Sequence, residues 1–125
     1  MIVAIGVDMV AIARIEALWR DSGERFLARV FTDQERTYCL ELARPAESLA
    51  ARFAAKEAVM KCLGTGWTGG VAFREIEVQR AATGAVQLAV TGHAAAAAQR
   101  LGIGRLHLSL THTDTIATAF VVAER

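Results

Sequence analysis

The 125-residue sequence is poor in cysteine and proline and carries almost no net charge. Its two cysteines, Cys39 and Cys62, form no CxxC pair, which argues against a zinc site and favours two reduced thiols in a cytoplasmic protein. The net charge of +1 selects no polyanionic partner, so nucleic-acid binding is not expected. The apolar start, residues 1–10, is too short for a membrane span and lacks the basic start and cleavage site of a secretory signal. We therefore expect a cytoplasmic protein without a membrane segment.

The chain has enough apolar material to build a core. Hydrophobic residues make up 54% of the sequence and charged residues 22%, which is typical of a folded globular chain and not of a disordered one. The length fits a single domain over residues 1–125.

Periodicity and turn residues predict helices early and strands late. Residues 2–8 are predicted to form a buried strand that ends on an acid. Helical periodicity covers residues 11–41, with breaks at 22–23 and 32–33, and the longest predicted helix runs from Pro45 to Gly64. An alanine-rich helix is expected at residues 92–102, and further strands at 75–79, 86–90, 105–111 and 115–122. The pattern indicates an α+β fold with early helices packed on a mainly antiparallel sheet.

Lys56 lies in the middle of the apolar stripe of the longest predicted helix. A buried ammonium is costly unless it is paired or reaches water. Lys56 therefore either extends its head to solvent or is held beside a carboxylate or a phosphate. At 100° per residue, the stripe consists of Leu49, Phe53, Met60 and Leu63.

Asp8, Glu57 and Lys61 are open to two interpretations each. Glu57 and Lys61 are four residues apart, which is the spacing of an ordinary surface ion pair on a helix. Asp8 ends a strand, where an acid often caps the following helix. The alternative is that Asp8 and Glu57 together supply hard oxygen ligands for Mg²⁺, which binds a few carboxylates together with phosphate oxygens and water.

The predicted late strand and the early arginines are weaker indications of function. Residues 105–111 alternate, so that Ser109 is expected on a half-exposed face, and there is no G-x-S-x-G element of a hydrolase. His112 and Thr113 at the predicted turn are either phosphate-binding or an ordinary surface turn. The early arginines form either a solvated helix face or a docking surface for an acidic partner; these are Arg14, Arg20 and Arg25.

Three segments in order resemble one family. They are GVDMVAIARIE at residues 6–16, RFAAKEAVMKCLGTG at 52–66 and LSLTHTDTIATAFVVAE at 108–124. Their order, their spacing and the total length are similar to the holo-acyl-carrier-protein synthases, the short bacterial branch of the 4′-phosphopantetheinyl transferases. The Phe-x-x-Lys-Glu-Ala-x-x-Lys block is the most specific of the three.

This resemblance implies a metal site and catalytic residues. The 4′-phosphopantetheinyl transferase fold is expected, with Asp8 and Glu57 binding Mg²⁺ at the pyrophosphate of coenzyme A. Lys61 is expected beside the phosphates and the reacting centre, with Lys56 supporting it. The implied reaction moves the 4′-phosphopantetheine group of coenzyme A to a serine of apo-acyl carrier protein and releases adenosine 3′,5′-bisphosphate.

The resemblance also implies binding residues and an assembly. Coenzyme A is expected to contact Lys56, Gly64, Ser109, His112 and Thr113. The helix carrying Arg14, together with Arg20 and Arg25, resembles the family's docking surface for the acidic carrier protein. The family is usually a homotrimer whose active sites are shared between subunits. Two departures from the family pattern stand out: Ala11 replaces an acid found in many relatives, and Thr111 replaces a common serine.

Two other functions remain open at this stage. One is a metal-dependent hydrolase of the coenzyme A pyrophosphate, which would use the same acids without a carrier protein. The other is a non-enzymatic binding module, against which the two carboxylates argue, since simple storage of a ligand does not require a metal beside its pyrophosphate.

Overall fold

The computed structural model describes residues 1–66 and 69–125. The helices within these residues are α1 (Ile12–Ser22), α2 (Glu24–Val30), α3 (Asp33–Leu40), α4 (Pro45–Leu63) and α5 (Gly92–Arg100), with a 3₁₀ turn at Phe73–Glu75. The strands are β1 (Ile2–Ala11), β2 (Ile76–Arg80), β3 (Val86–Val90), β4 (Arg105–His112) and β5 (Ile116–Glu124). The predicted α+β class and the order of its elements are confirmed.

The helix boundaries follow from local chemistry. Gly23 has φ of 53°, in the left-handed region that glycine tolerates, and it separates α1 from α2. Thr32 begins α3 with a reciprocal capping box, in which its side chain and that of Glu35 each accept a bond from the other's backbone N–H. Pro45 stands in the first turn of α4, and Gly64, with φ of 69°, ends it. The four predicted helix limits, at Gly23, Thr32, Pro45 and Gly64, are confirmed.

Two antiparallel sheets are present where the sequence indicated one. A three-stranded sheet has the order β1-β5-β4, and β2 pairs with β3 in a separate hairpin. In the larger sheet Asp8 lies opposite Ala119 of β5, and Ser109 of β4 lies opposite Phe120. The antiparallel pairing itself is confirmed.

Helix α4 packs across β1 and β5. The inward side of β5 consists only of small or branched residues with no exposure, and α4 meets it with buried alanines, which allows a close approach of helix and sheet. Gly6 of β1 is essential to this approach, because an added Cβ would collide with the carbonyl oxygen of Ala58. The inward residues of β5 are Ala117, Ala119, Val121 and Ala123.

The outward face of the larger sheet is uncovered in this chain. The prediction of a buried first strand is therefore wrong for one side of β1, which alternates between exposed and covered residues. The apolar run could not reveal this, because a strand buried on both faces and one with an uncovered apolar face have the same composition. Large apolar side chains on this face are 44–65% exposed: Ile5, Val7, Met9 and Phe120. Within the described part of the chain, no helix has the length and apolarity needed to cross a bilayer.

Candidate active site

The C-terminal half of α4 is buried on most sides and open on one. Glu57 is only half-buried, and the Lys61 side chain is 55% exposed. Their neighbours Lys56, Ala58 and Met60 are buried. Polar side chains on a helix that is otherwise embedded in the core mark the side of α4 that faces a possible ligand.

Strand β1 brings Asp8 to this side of α4. Asp8 lies two residues after Gly6, so it points to the same face of the strand, toward the helix. Lys61 Nζ donates to the backbone oxygen of Val7 at 2.8 Å and to Asp8 Oδ1 at 3.1 Å. The Asp8 side chain is only 15% exposed. The structure therefore joins residues that are 53 positions apart in sequence, and the ion pair it records for Lys61 is with Asp8.

The donor set fits a small divalent cation. Asp8 and Glu57 carry hard carboxylate oxygens on adjacent elements, one on β1 and one on α4, and Lys61 donates a hydrogen bond to Asp8. Mg²⁺ commonly takes one or two protein carboxylates and completes its shell with phosphate oxygens and water. Among residues 1–66 and 69–125, no group of three or more His, Cys, Asp or Glu side chains could form an all-protein metal cage. The arrangement thus suits a cation that is shared with a phosphorylated substrate.

Lys56 is held beside a carboxylate, as one of the predicted alternatives had it, but it is not placed to contact a substrate. Its side chain is completely buried, and Nζ donates to Glu35 Oε1 at 2.7 Å, to Phe73 O at 3.1 Å and to Ile76 O. Burial lowers the pKa of this ammonium, and the Glu35 carboxylate opposes the effect. The three acceptors match the three N–H donors of a charged lysine. Contact between Lys56 and substrate is therefore replaced by a buried ion pair; the helical period located Lys56 in the core but could not identify its partner.

His112 and Thr113 lie at the other end of α4. His112 belongs to β4 and not to the turn, and its Nδ1 is 3.8 Å from an oxygen of Glu47 near the start of α4. The Thr113 hydroxyl accepts hydrogen bonds from the backbone of Thr115 and Ile116, which closes the β4–β5 turn. Glu47 and Glu57 are ten residues apart, or about 15 Å along the helix axis. One chain therefore does not bring His112 and Thr113 to Asp8 and Glu57.

Ser109 and Gly64 also lie in different parts of the structure. Ser109 is exposed and lies opposite Phe120, on the outward face of the sheet. Asp8 lies opposite Ala119, on the inward face. Gly64 ends α4 in a left-handed conformation, one turn beyond Lys61, so it stays with the Asp8 end of the helix. The predicted residues thus form two groups, Asp8, Glu57, Lys61 and Gly64 in the first and Ser109, His112 and Thr113 in the second.

A basic cavity beside His112 was missed at the level of sequence. It has a volume of about 560 Å³. Arg52 is 2% exposed, lies 4.7 Å from the centre of the Tyr38 ring, and donates to Ser48 Oγ at 2.5 Å. One acid, Glu47, is also present and pairs with Arg44 at 2.8 Å. A signal was available, since Arg52 precedes Lys56 by one helical turn in the same apolar stripe. The cationic residues that line this cavity are Arg44, Arg52, Arg80 and, when protonated, His112.

The three predicted docking arginines are exposed but do not form one row. Arg14 and Arg20 are six residues apart on α1, so they point about 120° apart around the helix. The Arg14 guanidinium lies 5.5 Å from the centre of the Phe53 ring, and Arg20 is 3.6 Å from Asp21. Arg25 follows on α2. Their role in docking stays a prediction.

The comparisons with known proteins agree on one family. A model of the 4′-phosphopantetheinyl transferase superfamily matches residues 4–121. The holo-[acyl-carrier-protein] synthase of Koribacter versatilis is 45% identical over 124 residues, with 99% of each chain covered. This chain belongs to the holo-[acyl-carrier-protein] synthase family. The prediction of a phosphopantetheinyl transferase fold, and of an enzyme of this class, is thereby confirmed.

Solved structures of the family have the same fold over the whole chain. The holo-[acyl-carrier-protein] synthase of Neisseria meningitidis has a TM-score of 0.89 at 38% identity, with complete coverage of both chains. The synthase of Bacillus anthracis, solved in complex with CoA (3′,5′-ADP), has a TM-score of 0.82 at 36% identity and covers 99% of this chain and 97% of its own. The two groups of site residues in this family member are therefore carried by a scaffold common to the synthases.

Proposed function

We propose that this chain transfers the 4′-phosphopantetheine group of coenzyme A to a serine of apo-acyl carrier protein, as a single domain over residues 1–125. The observation that carries the proposal is the meeting of Asp8 with the open face of α4 that holds Glu57 and Lys61. Membership of the family supports the same reaction, and the Bacillus anthracis relative binds coenzyme A or its 3′,5′-ADP portion. The function includes a role in fatty-acid and lipid synthesis, since its product is a holo-carrier protein.

In the proposed reaction, the serine oxygen bonds to the β-phosphorus of coenzyme A. The bond between that phosphorus and the bridging oxygen breaks, and adenosine 3′,5′-bisphosphate leaves with the electron pair. Asp8 and Glu57 would hold Mg²⁺, which supplies neutralisation of the diphosphate charge. The two recorded hydrogen bonds of Lys61 use two of its three donors, so that the third can meet the developing negative charge on the leaving phosphate. Glu57 or a water molecule accepts the proton of the serine hydroxyl.

The second group of residues is proposed to bind the nucleotide part of coenzyme A. Arg44, Arg52 and His112 line a cavity of about 560 Å³, and guanidinium groups bind phosphates through paired, charge-assisted hydrogen bonds. In coenzyme A the nucleotide and the diphosphate are directly connected. Because the two groups are about 15 Å apart along α4 in one chain, the proposal is that they meet on one coenzyme A molecule across a boundary between two copies.

A homotrimer with active sites between subunits resolves this separation. One subunit would supply Asp8, Glu57 and Lys61, and its neighbour the cavity beside His112. The uncovered apolar face formed by Ile5, Val7, Met9 and Phe120 supplies a surface for such an assembly. A cytoplasmic location is part of the proposal and is consistent with free, buried Cys39 and Cys62.

The test uses apo-acyl carrier protein, coenzyme A and Mg²⁺, with intact-mass measurement of the carrier. A mass increase of one phosphopantetheine group supports the transfer. Release of 4′-phosphopantetheine without a carrier would instead support the alternative hydrolase. Binding of coenzyme A without either product would leave only a binding module, and both of these outcomes reject the proposed transfer.

A further inference from the structure

The buried pair Glu35–Lys56 connects α4 to three other parts of the fold. Lys56 Nζ contacts Glu35 on α3, Phe73 O in the 3₁₀ turn and Ile76 O at the start of β2. Glu35 is 1% exposed and uses both oxygens, since Oε1 also accepts from Thr32 N at 3.0 Å and Oε2 accepts from Val78 N at 2.8 Å. Hydrogen bonds therefore fix the orientation of both the Lys56 and the Glu35 side chains, whereas apolar packing alone has no preferred direction.

A second fixed contact lies on the other side of the same helix. At about 100° per residue, Lys56 and Ala58 point about 200° apart around α4. Ala58 is the residue whose carbonyl oxygen contacts Gly6 of β1 so closely that no Cβ fits. The helix is thus held on nearly opposite faces within three consecutive residues.

The proposed reactive side chains lie between these two contacts. Relative to Lys56, Glu57 points about 100° around the helix and Lys61 about 140°. A rotation of α4 by a few tens of degrees would carry both away from Asp8, which is attached to β1. We propose that the Glu35–Lys56 pair is a positioning unit that fixes the rotation of α4 and so aligns Glu57 and Lys61 with Asp8; this inference rests on the proposed function.

The alternative is that the pair contributes only to stability. A buried ion pair is weak evidence for that role, because desolvation of both ions offsets their attraction, and replacement by apolar residues of similar size is often neutral or stabilising. The two roles therefore make different predictions for a variant in which both charges are removed together. The double variant Glu35→Leu/Lys56→Met removes the directional bonds while it keeps the core filled.

The experiment compares the wild type with this double variant. We expect the double variant to fold with a lowered urea midpoint, because Val78 N and Ile76 O lose their hydrogen bonds to this pair. Its kcat per folded molecule should fall about tenfold or more, because small misplacements of reacting groups are costly. The KM for the carrier protein should change less than about twofold. A folded double variant with wild-type kcat, or a loss of stability with full activity per folded molecule, would overturn the inference.

Two further variants keep the test decisive. If the double variant does not fold, Glu35→Gln keeps the side-chain shape but removes its charge. This variant should be less stable, because the buried Lys56 loses its counter-ion, and the same fall in kcat per folded molecule is expected. Glu75→Gln is the matched control, since Glu75 also accepts backbone hydrogen bonds, from Ala72 N before its own turn and from His93 N on α5, and both of these donors lie outside α4. Its kcat should equal that of the wild type. A similar fall of kcat in this control would show that loss of any such hydrogen bond lowers activity, and it would overturn the positioning role of the Glu35–Lys56 pair.

Binding separates this inference from the proposed function. Calorimetry with coenzyme A and Mg²⁺ measures the affinity of wild type and double variant without turnover. A weakening of about tenfold is expected when Glu57 and Lys61 are misaligned. If the wild type binds but transfers nothing, the proposed function fails while this comparison still decides the positioning role; unchanged affinity would count against it.

Discussion

The two ends of helix α4 differ sharply in chemistry. The C-terminal end places Lys61 in contact with Asp8, and Glu57 lies one turn earlier on the same helix, a set suited to a cation and a reacting phosphate. The N-terminal end surrounds a cavity with Arg44, Arg52 and His112, a set suited to binding an anionic nucleotide. Because about 15 Å of helix separates Glu47 from Glu57, the comparison teaches that one chain contains two different half-sites. In the proposed assembly a second copy would complete the site.

The largest effect is expected at the C-terminal end. Glu57→Gln keeps the size of the side chain but removes a carboxylate ligand, so kcat should fall about 10²-fold or more. The variant should remain folded, because Glu57 is only half-buried. Steady-state kinetics at saturating Mg²⁺ and circular dichroism check this, with Glu41→Gln on the exposed end of α3 as the control. Turnover near that of the wild type would remove the distinction between the two ends.

A smaller and different effect is expected at the N-terminal end. His112→Ala or Arg44→Ala should raise the KM for coenzyme A about tenfold, because a charge-assisted hydrogen bond to the nucleotide is lost. The kcat should change little, since such contacts are equally strong before and during the reaction. Full substrate-saturation curves for each variant test this. A fall in kcat without a change in KM would place these residues in the chemistry instead.

The exposed surface of α1 around Arg14 should affect use of the carrier protein independently of both ends of α4. Arg14→Glu is expected to raise the KM for the carrier protein several-fold at low salt, with less change as added salt screens surface charges. The KM for coenzyme A should stay constant. Arg100→Glu on α5 is a matched charge reversal on an exposed arginine. Equal losses for carrier protein and coenzyme A would reject a docking role for Arg14.

The smallest effect concerns stability alone. Burial tends to raise the pKa of Glu75, but hydrogen bonds from Ala72 N and His93 N and the contact with the His93 ring outweigh it, so the pKa lies below its ordinary value. A depressed carboxyl pKa stabilises the fold above the unfolded value of about 4.3, and this contribution is lost as pH falls through the folded pKa. Urea unfolding between about pH 5 and 3 should therefore show a flatter loss of stability in Glu75→Gln than in the wild type. An identical pH dependence would contradict this prediction.

Much of the fold could be predicted because its signals are local. Pro45 and Gly64 delimit α4, and the Thr32–Glu35 capping box begins α3, so that the helix limits follow from residues within a few positions of each other. The alternation of residues 105–111 likewise predicted the half-exposed β4. Such features depend on residues that are close together in the sequence.

The rest depends on contacts between distant residues. The partner of Lys56 lies 21 positions away and that of Lys61 lies 53 away, and no periodicity carries this information. The uncovered face of β1 was misjudged because composition does not distinguish a surface covered within the chain from one left for another molecule. The chemistry of two carboxylates suggested Asp8 and Glu57 as one of two interpretations, and the resemblance to a family favoured it, but no spacing along the chain predicts that the two meet.

The most direct test mixes two defective proteins. Glu57→Gln lacks the catalytic half-site, and Arg44→Ala/His112→Ala lacks the nucleotide half-site, so each alone should have little activity at a coenzyme A concentration far below the raised KM. After the subunits are dissociated and reassembled together, random pairing across a head-to-tail interface should restore intact sites, up to about one quarter of wild-type turnover. Activity that never exceeds the average of the two separate variants would contradict an active site shared between copies.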